Sequence, residues 1–236
     1  SRTNLTGDTN PANDETTKTI TNGILYCTAT ATAGCNLDGI KKFVLNTIDA
    51  DDGENGCNTE PANSPTGYAD RTDLSTELSN EAGSNVYTLQ AQQNWTGGPG
   101  IEALSAWIDF NHDGTFSASE KIMSSSSSST TPVSSSFSIP VSAKSGETLL
   151  RVILKKYSNT GNIQNNPCET FSDGEVEDYT VFIGFDGLMY VNDQWTPNAP
   201  DATTGTDNVL VLNGTYALVN EDVIVNNIEV ANNANL

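Results

Sequence analysis

The chain has 236 residues, long enough for one domain of about 150 residues with a real core and something smaller beside it. Ten Lys+Arg stand against 30 Asp+Glu, a formal charge of −20; this argues against nucleic acid or an anionic membrane as a partner, since both require a basic face, and it makes divalent cations the natural counter-ions. No run of about 18 apolar residues occurs, so no membrane insertion is expected, and the start at Ser1 carries no basic-then-apolar leader, so any export signal is expected to have been removed.

Thr, Ser, Asn and Gly are abundant, Val, Ile, Tyr and Phe recur in short runs, and no long helical stripe forms, which predicts an all-β class. Residues 1–23 are polar and read as a linker or the end of a preceding domain, with ordered sequence beginning at Ile24. A strand is predicted over 40–48, then a long acidic surface loop over 49–65 anchored by Cys57. That loop reads as a solvated one, with a second cation as the alternative. Residues 85–91 alternate polar with apolar as a half-buried strand does, and 92–100, with Trp95, form a loop leading to a strand at 104–108.

The next stretch carries the clearest chemistry. Counting from Asp109, side-chain oxygens fall at the first, third and fifth places (Asp109, Asn111, Asp113) and glycine at the sixth (Gly114). A backbone carbonyl at the seventh (Thr115), a water-bridging hydroxyl at the ninth (Ser117) and a two-oxygen carboxylate at the twelfth (Glu120) complete a calcium-loop pattern. Ca2+ takes roughly 6 to 8 oxygens at about 2.3 to 2.6 Å, so alternate residues turn inward while the chain bends at a residue without a side chain. The flanks alternate instead of showing helical periodicity, so the loop follows a strand and is not an EF-hand. The competing reading is an Asx-rich turn whose side chains bond their own backbone.

The six serines Ser124 to Ser129 read as a solvated connection. A nucleophilic serine needs a base, and the single histidine, His112, lies inside the cation loop where it is expected to point outward. Strands are predicted at 136–141 and 149–154, where Arg151 must reach solvent or a carboxylate, and at 171–183. In the last of these, period-two alternation places Glu175 and Glu177 on the face of Tyr179, Val181 and Ile183. Acids that continue an apolar face are costly unless paired or bound to metal. One of the two is therefore expected to be a metal ligand or to hold Arg151; the alternative puts both beyond the sheet edge in water.

Cys27, Cys35, Cys57 and Cys168 lack the C-x2-4-C spacing of a zinc site and are expected to form disulfides in an oxidising compartment, with three pairings open.

Tyr26-Cys27, the Gly67-Tyr68-Ala69-Asp70 step, Trp107-Ile108-Asp109-Phe110-Asn111-His112-Asp113-Gly114 and Gly174-Glu175-Val176-Glu177-Asp178-Tyr179-Thr180-Val181 together resemble the GEVED domain family over about residues 24–185. The resemblance implies a β-sandwich, jelly-roll or Ig-like, here with an inserted calcium loop. It also implies a secreted or cell-surface location, since the family occurs in multidomain proteins of Bacteroidetes and related bacteria, often with adhesion modules, proteases or a type IX secretion sorting domain. Cysteines at the positions of Cys27 and Cys168 are usual in the family, which implies that pair and leaves Cys35 with Cys57. Arg71 stands where the family has a tyrosine.

Residues 186–236 differ in character: short apolar runs at 208–212, 215–219 and 223–230 between Asn-Gly or acidic turns resemble the opening of a β-solenoid and are expected to need a neighbour to bury their faces. Three functions follow as expectations. The first is a non-catalytic calcium-stabilised module of an adhesin-like protein that meets a glycan or protein on a surface. The second is a carbohydrate-binding module of a secreted hydrolase, with Trp95, Tyr68 and Trp195 as sugar platforms. The third is a filament subunit that pairs with copies of itself by strand addition. An enzyme is not expected, because the carboxylates best placed for glycoside hydrolysis are committed to the cation.

Overall fold

β-Branched and aromatic residues alternate with short polar ones along most of the chain, and the backbone follows as strands. The structure, a computed structural model, describes residues 24–35, 38–53, 57, 67–80, 85–94, 101–157, 166–184, 188–191, 194–196, 208–211 and 227–230. The strands are β1 (Thr30–Gly34), β2 (Ile40–Leu45), β3 (Ile48–Asp51), β4 (Tyr68–Leu78), β5 (Val86–Gln93), β6 (Ile101–Ile108), β7 (Lys121–Ser127), β8 (Val133–Ser138), β9 (Gly146–Tyr157), β10 (Thr170–Ile183), β11 (Leu188–Val191), β12 (Gln194–Thr196), β13 (Asn208–Val211) and β14 (Asn227–Val230). The fold is all-β, as the composition predicts.

The longest strand, β10, organises the first sheet, whose order is β1-β10-β9-β6-β7. Along one edge β10 pairs in parallel with two strands in succession: β1 beside residues 170–173, then β4 from Val176↔Tyr68 to Ile183↔Leu78. Along its other edge it pairs antiparallel with β9, setting Glu175 opposite Leu154 and Asp178 opposite Arg151. A second sheet has the order β3-β2-β5-β8. Both sheets contribute to one core: Phe43, Leu45 and Leu89 from the second, Ile108, Val152 and Tyr179 from the first, with the Phe43 and Tyr179 rings stacked at 5.0 Å. The first sheet is also covered on its other face, where Trp107, Ile153 and Val176 pack with Ala29, Ala31, Phe116 and Phe171. Burial on both faces explains the near-continuous apolar run of β9.

Three expectations are corrected. The strand over 40–48 breaks at Asn46-Thr47 into a tight hairpin, Asn46 taking a φ of 51° that its short polar side chain tolerates. Ile48–Asp51 then returns as β3, so the acidic loop begins only at Asp52. Ser124 to Ser127 are not a loop: they lie in β7, paired with β6 as Leu104↔Ser125 and Ala103↔Ser126. A ladder needs backbone groups and not apolar side chains, so a serine run can pair as an edge strand. The strand expected at 136–141 ends at Ser138, ahead of Pro140.

Disulfides join Cys27 to Cys168 and Cys35 to Cys57, with Cα–Cα distances of 5.4 and 5.1 Å, the pairing the family resemblance implies. A third sheet, β12-β11-β13-β14, combines a β11–β12 hairpin with parallel pairing of β11, β13 and β14, which sets Leu188, Val209 and Ile228 in one row. Residues 1–23, the run at 215–219 and Trp95 lie outside the described residues. No helix among those described is long and apolar enough to cross a membrane.

Candidate metal centre

β6 ends at Ile108, and the 109–120 segment leaves directly from it, with Asp109 N–H still bonded to Leu149 O. Asp109 is fully buried and acts as the hub of the loop. Its Oδ1 accepts the Asp113 N–H (3.2 Å), and its Oδ2 accepts the Gly114 N–H (2.9 Å) and the Tyr26 hydroxyl (2.9 Å). The Tyr26 ring stacks on Phe116 at 5.3 Å, so the loop is clamped by the segment ahead of β1. Gly114 has a φ of 81°, and a Cβ there would meet Ile24 Cγ2 at 2.9 Å; glycine is required by conformation and by the same clamp.

Asn111 Oδ1 accepts the Asp113 N–H, Asn111 Nδ2 donates to Asp113 Oδ2, and Asp113 Oδ1 accepts both the N–H and the hydroxyl of Thr115. The Thr115 hydroxyl holds the Asp113 carboxyl below its ordinary value. Glu120, buried at the end of a one-turn 3-10 helix (Ala118–Glu120), accepts the Ser117 N–H at 2.7 Å and the Asn111 N–H at 3.4 Å. These are the contacts of an Asx-rich turn, and Asp109, Asp113 and Glu120 do not form a trio with oxygens within 4.8 Å of one another. Among the described residues, Asp109 Oδ1, Asp113 Oδ2 and each Glu120 oxygen accept one hydrogen bond apiece, which leaves each a lone pair. The donor set, hard oxygens on a glycine-bent loop, fits Ca2+ in chemistry and order. His112, at φ 53°, is half-buried with Nε2 enclosed and without a hydrogen-bond partner; burial lowers its pKa.

The second acidic stretch divides between the two faces of β10. Asp178 points to the outer face and receives a two-pronged bond from Arg151, Nε to Oδ1 at 2.8 Å and Nη2 to Oδ2 at 2.7 Å. It also accepts the Tyr68 hydroxyl at 3.0 Å, and burial followed by the Asp178 charge raises the Tyr68 pKa. Arg151 is therefore held by Asp178 and not by Glu175 or Glu177. The cross-strand register of β9 and β10 decides this, because it sets Arg151 directly opposite Asp178. A cleft of about 370 Å3 opens over this pair, edged by Tyr26, Thr30, Asp70 and Thr72.

Glu175 and Glu177 turn to the core face, 0% and 1% exposed, so neither lies in water beyond the sheet edge. They gather with Asp52, the three carboxylates lying within 4.8 Å of one another, in a cluster distinct from the 109–120 loop. Burial first, then the charges of Glu175 and Asp52, push the Glu177 carboxyl well above the ordinary range. Gly174 opens the strand segment that carries them: with φ 139°, a Cβ there would lie 2.1 Å from Leu154 O.

Of the candidate ligand aromatics, Tyr68 is half-buried with its hydroxyl committed to Asp178, and Trp195, half-buried, packs edge-on against Tyr190 at 5.0 Å. Sequence reasoning missed Tyr26, Asp178 and Arg71 as site residues, since each acts through a partner about 20 or more positions away. Arg71 pairs with Asp52.

Comparison with known families matches residues 103–182 to the GEVED domain, a span that runs from β6 through β10 and includes both the 109–120 loop and Gly174 to Asp178. No curated protein matches the chain.

Proposed function

With residues 103–182 matching the GEVED domain, we propose that the chain is a non-catalytic, calcium-stabilised module of a secreted or cell-surface adhesin-like protein, with Ca2+ held by Asp109, Asn111, Asp113, the Thr115 carbonyl and Glu120. The observation that carries this reading is the fully buried Asp109 carboxylate at the end of β6, around which the loop is already folded by the Asp113 and Gly114 amides. When bound, the ion would neutralise Asp109, Asp113 and Glu120, and Tyr26 would orient Asp109 for it.

A domain over 24–185 is supported by β1 and β4, both outside the matched span yet paired to β10, and by the Cys27–Cys168 disulfide. Two sheets on one core support the sandwich reading. The parallel row Leu188, Val209, Ile228 supports a solenoid-like start to a second unit over 186–236, where Ile228, 42% exposed, is a face for a following coil or a second copy. Two disulfides suit an extracellular location. A carbohydrate-binding role is the second reading, favoured by the cleft over Arg151 and Asp178 with Tyr26 and Tyr68 at its walls.

Thermal unfolding of the protein in Ca2+ and in excess chelator tests the main reading. A lower melting temperature in chelator, with the difference abolished in Asp109→Ala, is the expected result; superimposable curves for the wild type after prolonged chelation count against it. A glycan array on the same sample tests the second.

A further inference from the structure

Three carboxylates in a sheet interior require a compensating charge. Glu175 and Glu177 on β10 are almost wholly buried, and the Asp52 side chain, 5% exposed, comes to them from just beyond β3. Among the described residues, the cation bonded to the cluster is Arg71, at Asp52 Oδ1. That leaves an excess of negative charge where desolvation is most costly. Each carboxylate is held by a donor from a different place: Asp52 by Arg71 on β4, Glu175 Oε2 by the Ile40 N–H of β2 at 2.6 Å, and Glu177 Oε2 by the Tyr179 hydroxyl at 2.7 Å. Donors that pin one oxygen of a carboxylate and leave the group aimed at a common point are the usual setting of a metal ligand. Asp52 Oδ2 carries the decisive observation: it is enclosed, has no hydrogen-bond partner, and belongs to a carboxylate within 4.8 Å of both glutamates.

We propose that Asp52, Glu175 and Glu177 form a second, interior cation site, separate from the 109–120 loop and independent of it, that takes a hard divalent ion, Ca2+ in preference to Mg2+. The donor set is oxygen only, which disfavours soft metals; an enclosed site disfavours Mg2+, which gives up its water reluctantly. The Cys35–Cys57 disulfide belongs to the site's construction. Its sulfurs lie within 4.8 Å of a Glu175 carboxylate oxygen, and it closes the segment that carries Asp52 onto β10. The ion would thus tie β2, β3, β4 and β10 together across the two sheets, in a place where a shared proton would relieve only part of the charge.

Metal content per chain after chelator stripping and dialysis against Ca2+ reads this out. Glu177→Gln and Asp52→Asn are each expected to lose one equivalent relative to the wild type, whereas Asp109→Ala keeps that equivalent and loses the loop's. The two sites therefore fail separately. Asp52→Asn, just outside a strand, guards against a misfolded Glu177→Gln, and serine at both Cys35 and Cys57 is expected to weaken the retained Ca2+ at least tenfold. An equal count in wild type, Glu177→Gln and Asp52→Asn overturns the proposal and assigns the cluster a shared proton instead. A count restored equally by Mg2+ overturns the choice of ion.

Discussion

Arg151 and Asp178 face each other across the β9–β10 ladder and are joined by two parallel hydrogen bonds of 2.8 and 2.7 Å, with side chains 3% and 4% exposed. The remaining guanidinium nitrogen, Nη1, donates to the carbonyls of Cys27 and Pro167, at 2.7 and 2.9 Å. One buried pair thus anchors the segments on both sides of the Cys27–Cys168 disulfide. Removing one partner leaves an uncompensated buried charge, which costs about 3 to 5 kcal/mol. Asp178→Ala is expected to lose that much in denaturant unfolding, and replacing both residues by apolar ones of similar volume is expected to recover most of it. Equal losses in the single and double variants would show that the charge is not the cause.

The two disulfides differ in the loops they close, with sequence separations of 141 and 22. Chain-entropy estimates put their contributions at about 5 and about 3 kcal/mol. Paired serine substitutions followed by urea unfolding are expected to rank Cys27–Cys168 above Cys35–Cys57 in bare protein. The ranking is expected to narrow in Ca2+, because the shorter bridge also holds Asp52 in place. No change in the ranking with Ca2+ would separate the bridge from the cation.

Glu102 is 1% exposed at the start of β6, and both of its oxygens are buried without a hydrogen-bond acceptor's usual partner. Burial, followed by the nearby Asp38 carboxylate, pushes its pKa up to about 8. The folded chain therefore binds a proton more tightly than the unfolded chain, so this residue's contribution to stability is full below about pH 4.5 and falls as pH rises towards 8. Glu102→Gln keeps the shape without the charge. It is expected to stabilise the protein at pH 8 by about 1 to 3 kcal/mol and to have little effect at pH 4.5. Equal effects at the two pH values would contradict this.

Much of the fold is legible in the sequence because period-two patterning is a local property. The alternation through Tyr179, Val181 and Ile183 places Glu175 and Glu177 correctly in the core, and the 109–120 spacing correctly follows a strand. What escapes the sequence depends on register and on distant partners. Nothing local assigns Arg151 to Asp178, since that pairing follows from which β9 residue lies opposite which β10 residue. Asp52 is one acid among several in its stretch, and its place beside β10 follows from the β2–β3 hairpin and from Arg71 on β4, neither of which is a local feature. The serine run misleads because side-chain composition says little about an edge strand whose stability is supplied by its neighbour's backbone.

The C-terminal sheet has strands of only three or four residues, with Leu188 and Val209 buried and Ile228 exposed. About 50 residues without a cysteine are expected to bury too little to fold unaided. Residues 186–236 expressed alone are expected to be largely unfolded. In the intact chain, the amides of β13 are expected to exchange faster than those of β9. A cooperative unfolding transition from the isolated segment would make it an autonomous domain.

Whether the 109–120 loop holds calcium is tested by anomalous scattering from crystals grown in millimolar Ca2+. A peak is expected about 2.3 to 2.6 Å from oxygens of Asp109, Asn111, Asp113, Glu120 and the Thr115 carbonyl, with the Glu120 carboxylate turned from the Ser117 amide toward the ion. A loop that keeps its Ser117–Glu120 and Asn111–Asp113 hydrogen bonds and carries no peak at that concentration would contradict it.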